Sequence, residues 1–353
     1  MKTVHINRWL LPLSWLYGFV VYLRNKLFDR GCLEQRTYDI PIICVGNITV
    51  GGTGKTPHTE YLIRLLKDKY RVAVLSRGYG RKTKGYLLAD STSDSHSIGD
   101  EPFQIKQKFP NILVAVDGDR REGIRNLLRL DNPPQVILLD DAFQHRYVTP
   151  TLSIVLSNFY RPVYKDSLLP AGRLREPMSG LKRADIVITS KCPENLSDRD
   201  KSTIQENLRL KDNQQSFFSA FVYKDVEAVF GANEGMKIEE LRDKNILLVT
   251  GIASPQMIIE KLNKYTTKIK SITYPDHYNF QDSDVTQIKN AFEKIDSEDK
   301  LILVTEKDAA RLVSMNIDES LKKYIFSLPI SVSLGDDEEI FDKIILNHVE
   351  SVI

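Results

Sequence analysis

The chain has 353 residues, 42% of them hydrophobic and 27% charged, which is the composition of a folded globular protein and excludes a disordered, collagen-like or polytopic membrane one. Lys and Arg (49) nearly balance Asp and Glu (47), so the formal charge of +2 predicts no nucleic-acid partner. Three scattered cysteines, Cys32, Cys44 and Cys192, supply neither a disulfide framework nor metal-ligand spacing, which suits a reducing cytoplasm.

The first element is an uncharged stretch at 9–23, bracketed by Arg8 and by Arg24 and Lys26. As a helix it spans roughly 22 Å, short of the about 30 Å hydrocarbon core of a bilayer. It lacks a small-x-small cleavage site. Two readings stay open: a helix packed on the core of the first domain, or an in-plane anchor whose Trp and Tyr sit at a membrane interface beside cations. Short β-rich runs follow at 40–45, 71–75, 112–116, 136–139, 152–156 and 186–189, with helical patterns such as 58–66 and 101–108 between them. This alternation predicts a mostly parallel sheet covered on both faces. A second set starts at 246–250 and continues through 255–262, 269–274, 283–295 and 301–305. The intervening 217–230 reads as two β-prone runs broken at Lys224-Asp225, a connector near the domain boundary.

The strongest motif is Thr49-Val50-Gly51-Gly52-Thr53-Gly54-Lys55-Thr56, after the strand at 42–45 and before a helix that Pro57 opens. Glycines let backbone N–H groups wrap phosphate oxygens at a helix N-terminus. Lys55 then reaches the β- and γ-phosphates of a nucleoside triphosphate, and the Thr56 hydroxyl ligates Mg²⁺. Thr49 stands where the usual P-loop has its first glycine. Downstream, the apolar run 135–139 ends in Asp140-Asp141, a carboxylate pair at the end of a buried strand placed to serve the same metal. Gln144 and His145 follow; they orient water, phosphate or the carboxylates, or cap the next element. At 186–193 the strand leads to Ser190-Lys191-Cys192-Pro193, with Pro193 where a GTPase would carry its guanine-reading Asp, so ATP is favoured over GTP.

Basic loops after strands are candidates for an anionic acceptor: 76–84 with Arg77, Tyr79 and Arg81, then 117–121 with Arg120 and Arg121, and 172–177 with Arg173 and Glu176. One arginine would stabilise the transferred phosphoryl group. An alcohol acceptor also benefits from a positioned base, worth about 10²–10⁴ in rate. Asp100, at a glycine turn before a helix, is either that base or a structural cap. His277, in an aromatic turn after a strand, is catalytic or structural.

Together these stretches resemble the tetraacyldisaccharide 4'-kinase (lipid A 4'-kinase) family of Gram-negative bacteria: VGNITVGGTGKTP (45–57), SRGYGR (76–81), GDEP (99–102), DDAFQHR (140–146), LPAGRLREP (169–177), YPDHYNF (274–280) and TEKDAARL (305–312). Thr49 fits the family pattern; Ala142 departs from it where many members have glycine. The resemblance implies a P-loop NTPase-like α/β/α sandwich with a second, smaller α/β domain and an N-terminal amphipathic helix. The layout would be an N-terminal membrane-associated helix at 1–30, a P-loop kinase domain at 31–216, a β connector at 217–236 and a C-terminal α/β domain at 237–353. It implies transfer of the γ-phosphate of ATP, with Mg²⁺, to the 4'-hydroxyl of a tetraacyldisaccharide 1-phosphate, forming lipid IVA. Asp100 and His277 would be the catalytic pair, the first as base and the second orienting it. Lys55 and one of Arg120 or Arg121 would stabilise phosphoryl charge. Thr56, Asp140, Asp141 and Glu176 would serve the metal; Arg77, Tyr79, Arg81, Gln144, His145 and Arg173 would contact the lipid substrate. The expected location is the cytoplasmic face of the inner membrane, peripheral or monotopic, with no obligate protein partner evident. A GTPase switch or metallochaperone, a soluble small-molecule kinase and a non-catalytic ATP-binding adaptor are the competing readings.

Overall fold

The computed structural model describes residues 4, 6–231, 234–252, 255–275 and 278–353. In chain order the principal elements of its first half are α1 (Leu11–Asp29), β1 (Ile42–Asn47), α2 (Lys55–Leu66), β2 (Val72–Ser76), β3 (Leu87–Leu88), α3 (Ser95–Ile98), α4 (Asp100–Lys108), β4 (Leu113–Val116), α5 (Arg120–Leu128), β5 (Val136–Asp140), β6 (Leu152–Asn158) and β7 (Ile186–Ser190). The second half carries α6 (Asp198–Leu208), β8 (Gln215–Phe218), β9 (Ala220–Tyr223), β10 (Glu227–Ala228), β11 (Asn245–Thr250), α7 (Gln256–Leu262), β12 (Ile269–Thr273), α8 (Asp282–Glu293), β13 (Lys300–Thr305), α9 (Glu306–Leu312), α10 (Glu319–Lys322), β14 (Ile325–Leu328), β15 (Ile330–Ser333) and α11 (Glu338–Val352). Two compact units result: residues 1–92, 105–221 and 332–353 make the first, and 93–104 and 222–331 the second.

The first unit is built on an eight-stranded sheet in the order β3-β4-β2-β5-β1-β6-β7-β8, parallel throughout except for the edge strand β3. Every residue of β1, β2, β5 and β7 is buried, which is why these strands read as unbroken apolar runs. Because the ladders are parallel, the loops after β1, β2, β4, β5, β6 and β7 all leave from one edge, where ligands of open α/β sheets bind. In register, Val45 of β1 lies opposite Asp140 of β5 and Ile154 of β6. That pairing sets the glycine loop beside the carboxylates.

Helix α1 packs on the first unit along one narrow stripe and leaves its remaining apolar residues exposed. Ser14, Val21 and Phe28, seven residues apart, are its buried stripe. Phe28 packs edge-on to Tyr147, with ring centroids 5.0 Å apart. Ser14 Oγ donates to Leu168 O at 2.9 Å and accepts from Ala171 N at 3.0 Å. The other faces are exposed, Trp15 by 71% and Phe19 by 57%, alongside Leu13, Leu16, Val20, Tyr22, Leu23 and Leu27, and Trp9, in the turn just before the helix, is exposed by 94%. No helix among the described residues is long and apolar enough to cross a membrane. The helix is part of the first unit, not a separate body over 1–30.

The second unit holds a five-stranded sheet, β10-β14-β13-β11-β12, parallel except for β10. Alternate residues of β11 and β13 feed two cores: Leu247, Val249, Ile302 and Val304 meet α8, while Ile246, Leu248, Leu301 and Leu303 meet α7. The stretch expected to be a connector divides among three sheets: β8 closes the first, β10 joins the second, and β9 pairs with β15. The chain's end also differs from the expected layout, since residues 332–353 belong to the first unit. There the buried Phe341 of α11 meets Phe217 (5.3 Å) and Tyr61 (5.8 Å), and Asp342 accepts from the Tyr61 hydroxyl at 2.7 Å. Truncating Phe341 to alanine should cost about 3–5 kcal/mol through the cavity it leaves, read as a fall in the urea midpoint at unchanged slope.

Candidate active site

The loop between β1 and α2 is a backbone cradle. Gly51, Gly52 and Gly54 take φ values of 63°, 66° and 84°, a region that side chains with a Cβ disfavour. At Gly54 a Cβ would also lie 2.7 Å from the Phe221 ring. Helix α2 begins at Lys55 with no side-chain cap, so its first N–H groups are left for an external acceptor. It starts two residues before Pro57, because the left-handed Gly54 turns the chain into the helix directly.

Polar groups hold the cradle from all sides. Asn47, at the end of β1, donates from Nδ2 to Thr53 Oγ1 at 2.7 Å. Ser190, ending β7, donates to Thr53 O at 2.7 Å, and Asn158 Nδ2 to Gly52 O at 3.2 Å. Val50 N donates to Arg173 O and Arg175 N to Ile48 O, each at 2.8 Å. His58 contacts Gly54 O through Nδ1 at 2.7 Å and Ser219 Oγ through Nε2 at 2.9 Å. A carbonyl only accepts, so Nδ1 carries the proton and Ser219 donates to Nε2. Burial, with Lys191 adding repulsion, pulls the His58 pKa down to about 4 although the Gly54 contact opposes it.

Lys55 Nζ lies 3.5 Å from Asp141 Oδ2, and Arg175 Nη2 lies 3.0 Å from Asp141 Oδ1. Burial works against the Asp141 charge, yet Lys55 and Arg175 hold its carboxyl below the usual range. Asp141 itself has φ 47°, a tight turn directly after the strand. Its neighbour Asp140 is buried and accepts from Thr59 Oγ1 at 3.2 Å. Arg175 also donates to Asn47 Oδ1, so a single guanidinium ties the loop to the carboxylates. Among the described residues no group of three or more His, Cys, Asp or Glu could hold a metal by itself. Thr56 with Asp140 and Asp141 is nevertheless an oxygen donor set of the kind Mg²⁺ takes when phosphates and water complete its shell.

The two candidate arginines separate. Arg121 is committed to Asp119, with Nη2–Oδ2 at 2.6 Å, and its guanidinium lies 4.8 Å from the Tyr147 ring. That ion pair holds the Asp119 carboxyl down at about 2. Arg120 is buried, interacts electrostatically with Asp141 and Asp140, and keeps an unpartnered Nε. His145 is pulled to about 4 by burial and by Arg120.

The Gln144 side chain donates to Asn47 O, and its backbone carbonyl accepts from Arg24 of α1 at 2.7 Å. Glu176 is 1% exposed and its Oε2 pairs with Arg183, so only Oε1 keeps accepting capacity for the metal role expected of it. Arg77, Tyr79 and Arg173 are exposed, whereas Arg81 donates to Gly85 O at 2.6 Å and shapes its own loop. In the second unit Asp100 opens α4 as its first residue, not as its cap, and pairs with Arg311 at 2.6 Å. His277 lies outside the described residues. Asn47, Arg175 and Arg311 lie inside the quoted motifs and His58 directly follows one, but nothing in the spacing of these four says what they bind.

A parallel sheet, a glycine cradle at its ligand-binding edge and a lysine facing an aspartate pair place the chain among the P-loop nucleotide-binding proteins. The profile of the tetraacyldisaccharide-1-P 4'-kinase (LpxK) family matches residues 6–350, and the chain belongs to that family. Its relatives named tetraacyldisaccharide 4'-kinase include proteins of Parabacteroides distasonis (50% identical, 99% of this chain and 97% of the relative) and Bacteroides fragilis (51%, 99% and 94%). Among solved structures, the "apo" form LpxK from Aquifex aeolicus in complex with ATP is 30% identical with a TM-score of 0.74, covering 96% of this chain and 98% of that one.

Because the His58 pKa is about 4 folded and 6.5 in the ordinary range, the unfolded chain binds the extra proton first as pH falls. The stability from keeping His58 neutral is complete above 6.5 and is lost on acidification toward 4, about 3 kcal/mol over that window. Urea unfolding across that window should show a shallower pH slope in His58→Gln than in the parent chain.

Proposed function

We propose that this chain transfers the γ-phosphate of ATP to the 4'-hydroxyl of a tetraacyldisaccharide 1-phosphate. The observation that carries the reading is the cradle, with uncapped N–H groups at the start of α2 and Lys55 held by Asp141. Family membership over nearly the whole chain supplies the acceptor. Pro193, where a guanine-reading carboxylate would stand, supports ATP as the donor.

The backbone N–H groups of the 49–56 loop would bind the phosphates, and Lys55 would move from Asp141 onto the β- and γ-phosphate oxygens. Thr56, Asp140 and Asp141 would hold Mg²⁺, which when bound neutralises phosphate charge. Arg120 is the better-placed arginine for the transferred group, because Arg121 is already neutralised by Asp119. Asp100 would accept the proton of the attacking hydroxyl, with His277 orienting it. The exposed Arg77 and Tyr79 suit a polar headgroup, as does Arg173; His145 adds a neutral imidazole.

The exposed face of α1, with the turn before it, would lie in the membrane interface at the cytoplasmic face of the inner membrane, with Trp9, Trp15 and Phe19 among the acyl chains. The substrate is anchored there by its own chains, so the enzyme and its acceptor would share one surface.

The decisive assay supplies purified protein with γ-labelled ATP, Mg²⁺ and acylated disaccharide 1-phosphate, and resolves the lipid product. Lys55→Ala should lower kcat/KM by about 10²–10³-fold, and near-parental kinetics would remove the cradle from catalysis. Asp100→Ala should lower kcat by about 10²–10⁴-fold with little change in MgATP affinity. A Trp15→Glu/Phe19→Glu double variant should leave sedimenting vesicles of anionic lipid for the supernatant; undiminished partitioning would move the membrane contact elsewhere.

A further inference from the structure

Asp100 sits at the end of a charge relay in the second unit. Arg311 of α9 donates to its Oδ2 twice, from Nε at 3.0 Å and from Nη2 at 2.6 Å. The third donor of that guanidinium, Nη1, goes to Asp308 Oδ1 at 3.0 Å. Asp308 is fully buried, and its Oδ2 accepts from Gly251 N at 2.9 Å and from Thr305 Oγ1 at 2.7 Å. Thr305 in turn caps α9 by accepting from Asp308 N at 3.1 Å. A Cβ on Gly251 would stand 3.0 Å from Asp308 Oδ1 and 3.3 Å from Arg311 Nη1, so the site has no room for a side chain there.

An arginine on a base is double-edged. It fixes the carboxylate, but its charge makes that carboxylate a weaker proton acceptor. A bare Asp–Arg pair is neutral. With Asp308 added the trio carries one net negative charge, which falls to zero when Asp100 takes a proton. Burial pushes the Asp308 carboxyl upward, against Arg311 and its hydrogen bonds.

Resting on the reading of Asp100 as base, we propose that Arg311 and Asp308 are positioning residues: Arg311 aims the Asp100 carboxylate, and Asp308 offsets the arginine so that Asp100 keeps its basicity. In the step served, the substrate oxygen bonds to the γ-phosphorus as its proton passes to Asp100. The bond from that phosphorus to the β–γ bridging oxygen breaks, and ADP leaves with the electron pair. Among the described residues, the ionisable neighbours of Asp100 along the chain include Glu101, paired with Lys307 at 3.4 Å, and Asp94 and His96 of the preceding helix.

The test is the pH profile of kcat/KM for the lipid acceptor in Arg311→Gln, Arg311→Lys and Asp308→Asn, with MgATP binding and thermal midpoint as controls of folding. Removing the cation in Arg311→Gln should move the acid limb up by about one unit or more, and removing the anion in Asp308→Asn should move it down. Both should lower kcat by about 10- to 100-fold with MgATP affinity kept. Arg311→Lys, which keeps the charge, should leave the limb in place while kcat falls. In an Asp100→Ala background, Asp308→Asn should cost no further activity. Asp308→Asn is near-isosteric and carries the test alone should Arg311→Gln not fold. A limb unmoved, or moved the same way by both variants, or a further loss on top of Asp100→Ala, overturns the positioning role while leaving the base intact. An undiminished kcat in Asp100→Ala alone would instead overturn the base.

Discussion

Everything in the first unit is arranged around one constraint: backbone N–H groups bind phosphate only if the backbone is held in a conformation it would not otherwise keep. Three left-handed glycines make the turn accessible, but glycines also make it floppy in the unfolded chain. Rigidity is therefore supplied from outside. Asn47, Ser190, Asn158 and His58 each reach the loop's own polar atoms from a different strand or helix. The contacts of Asn47, Ser190 and His58 are made by buried side chains, so each of these is strong and costly to leave unmade. The cradle is in this sense a product of the whole sheet edge.

Arg175 extends the same logic to charge. It bonds both Asn47 and Asp141, so the loop that carries it joins the phosphate cradle to the carboxylate turn. Helix α1 grips that loop from the other side, through Ser14 at Leu168 and Ala171 and through the Tyr17 hydroxyl at Arg175 O. The helix with the exposed apolar face thus also braces the segment that braces the nucleotide loop. In the second unit the Asp308–Arg311 pair plays the analogous part for Asp100. Both units surround a working group with a partner that is itself held, and orientation is what such support provides.

Most strands of the first sheet, and β11, β12 and β13 of the second, were readable as short β-rich runs with turns at their ends, whereas β14, inside the second sheet, was not. Boundaries shifted by one or two residues where sheet pairing continued past the apolar core, as at Gly46 and Asn47 of β1. What escaped were short edge strands such as β3 and β10, which are too brief to show a period. The fate of 217–230 escaped as well: a β-prone run says it will pair, not with which sheet.

The chemistry of the P-loop and of the aspartate pair followed from local sequence, because residue type and spacing there are the mechanism: glycine for φ, lysine for charge, a carboxylate at a strand end. Partner choice was different. That Arg121 is spent on Asp119 and Arg120 is not, that Gln144 serves Asn47, and that α11 returns to the first unit, depend on residues distant in the chain meeting in space. A linear pattern records what a side chain is able to bind, and only the packed chain decides which neighbour takes it.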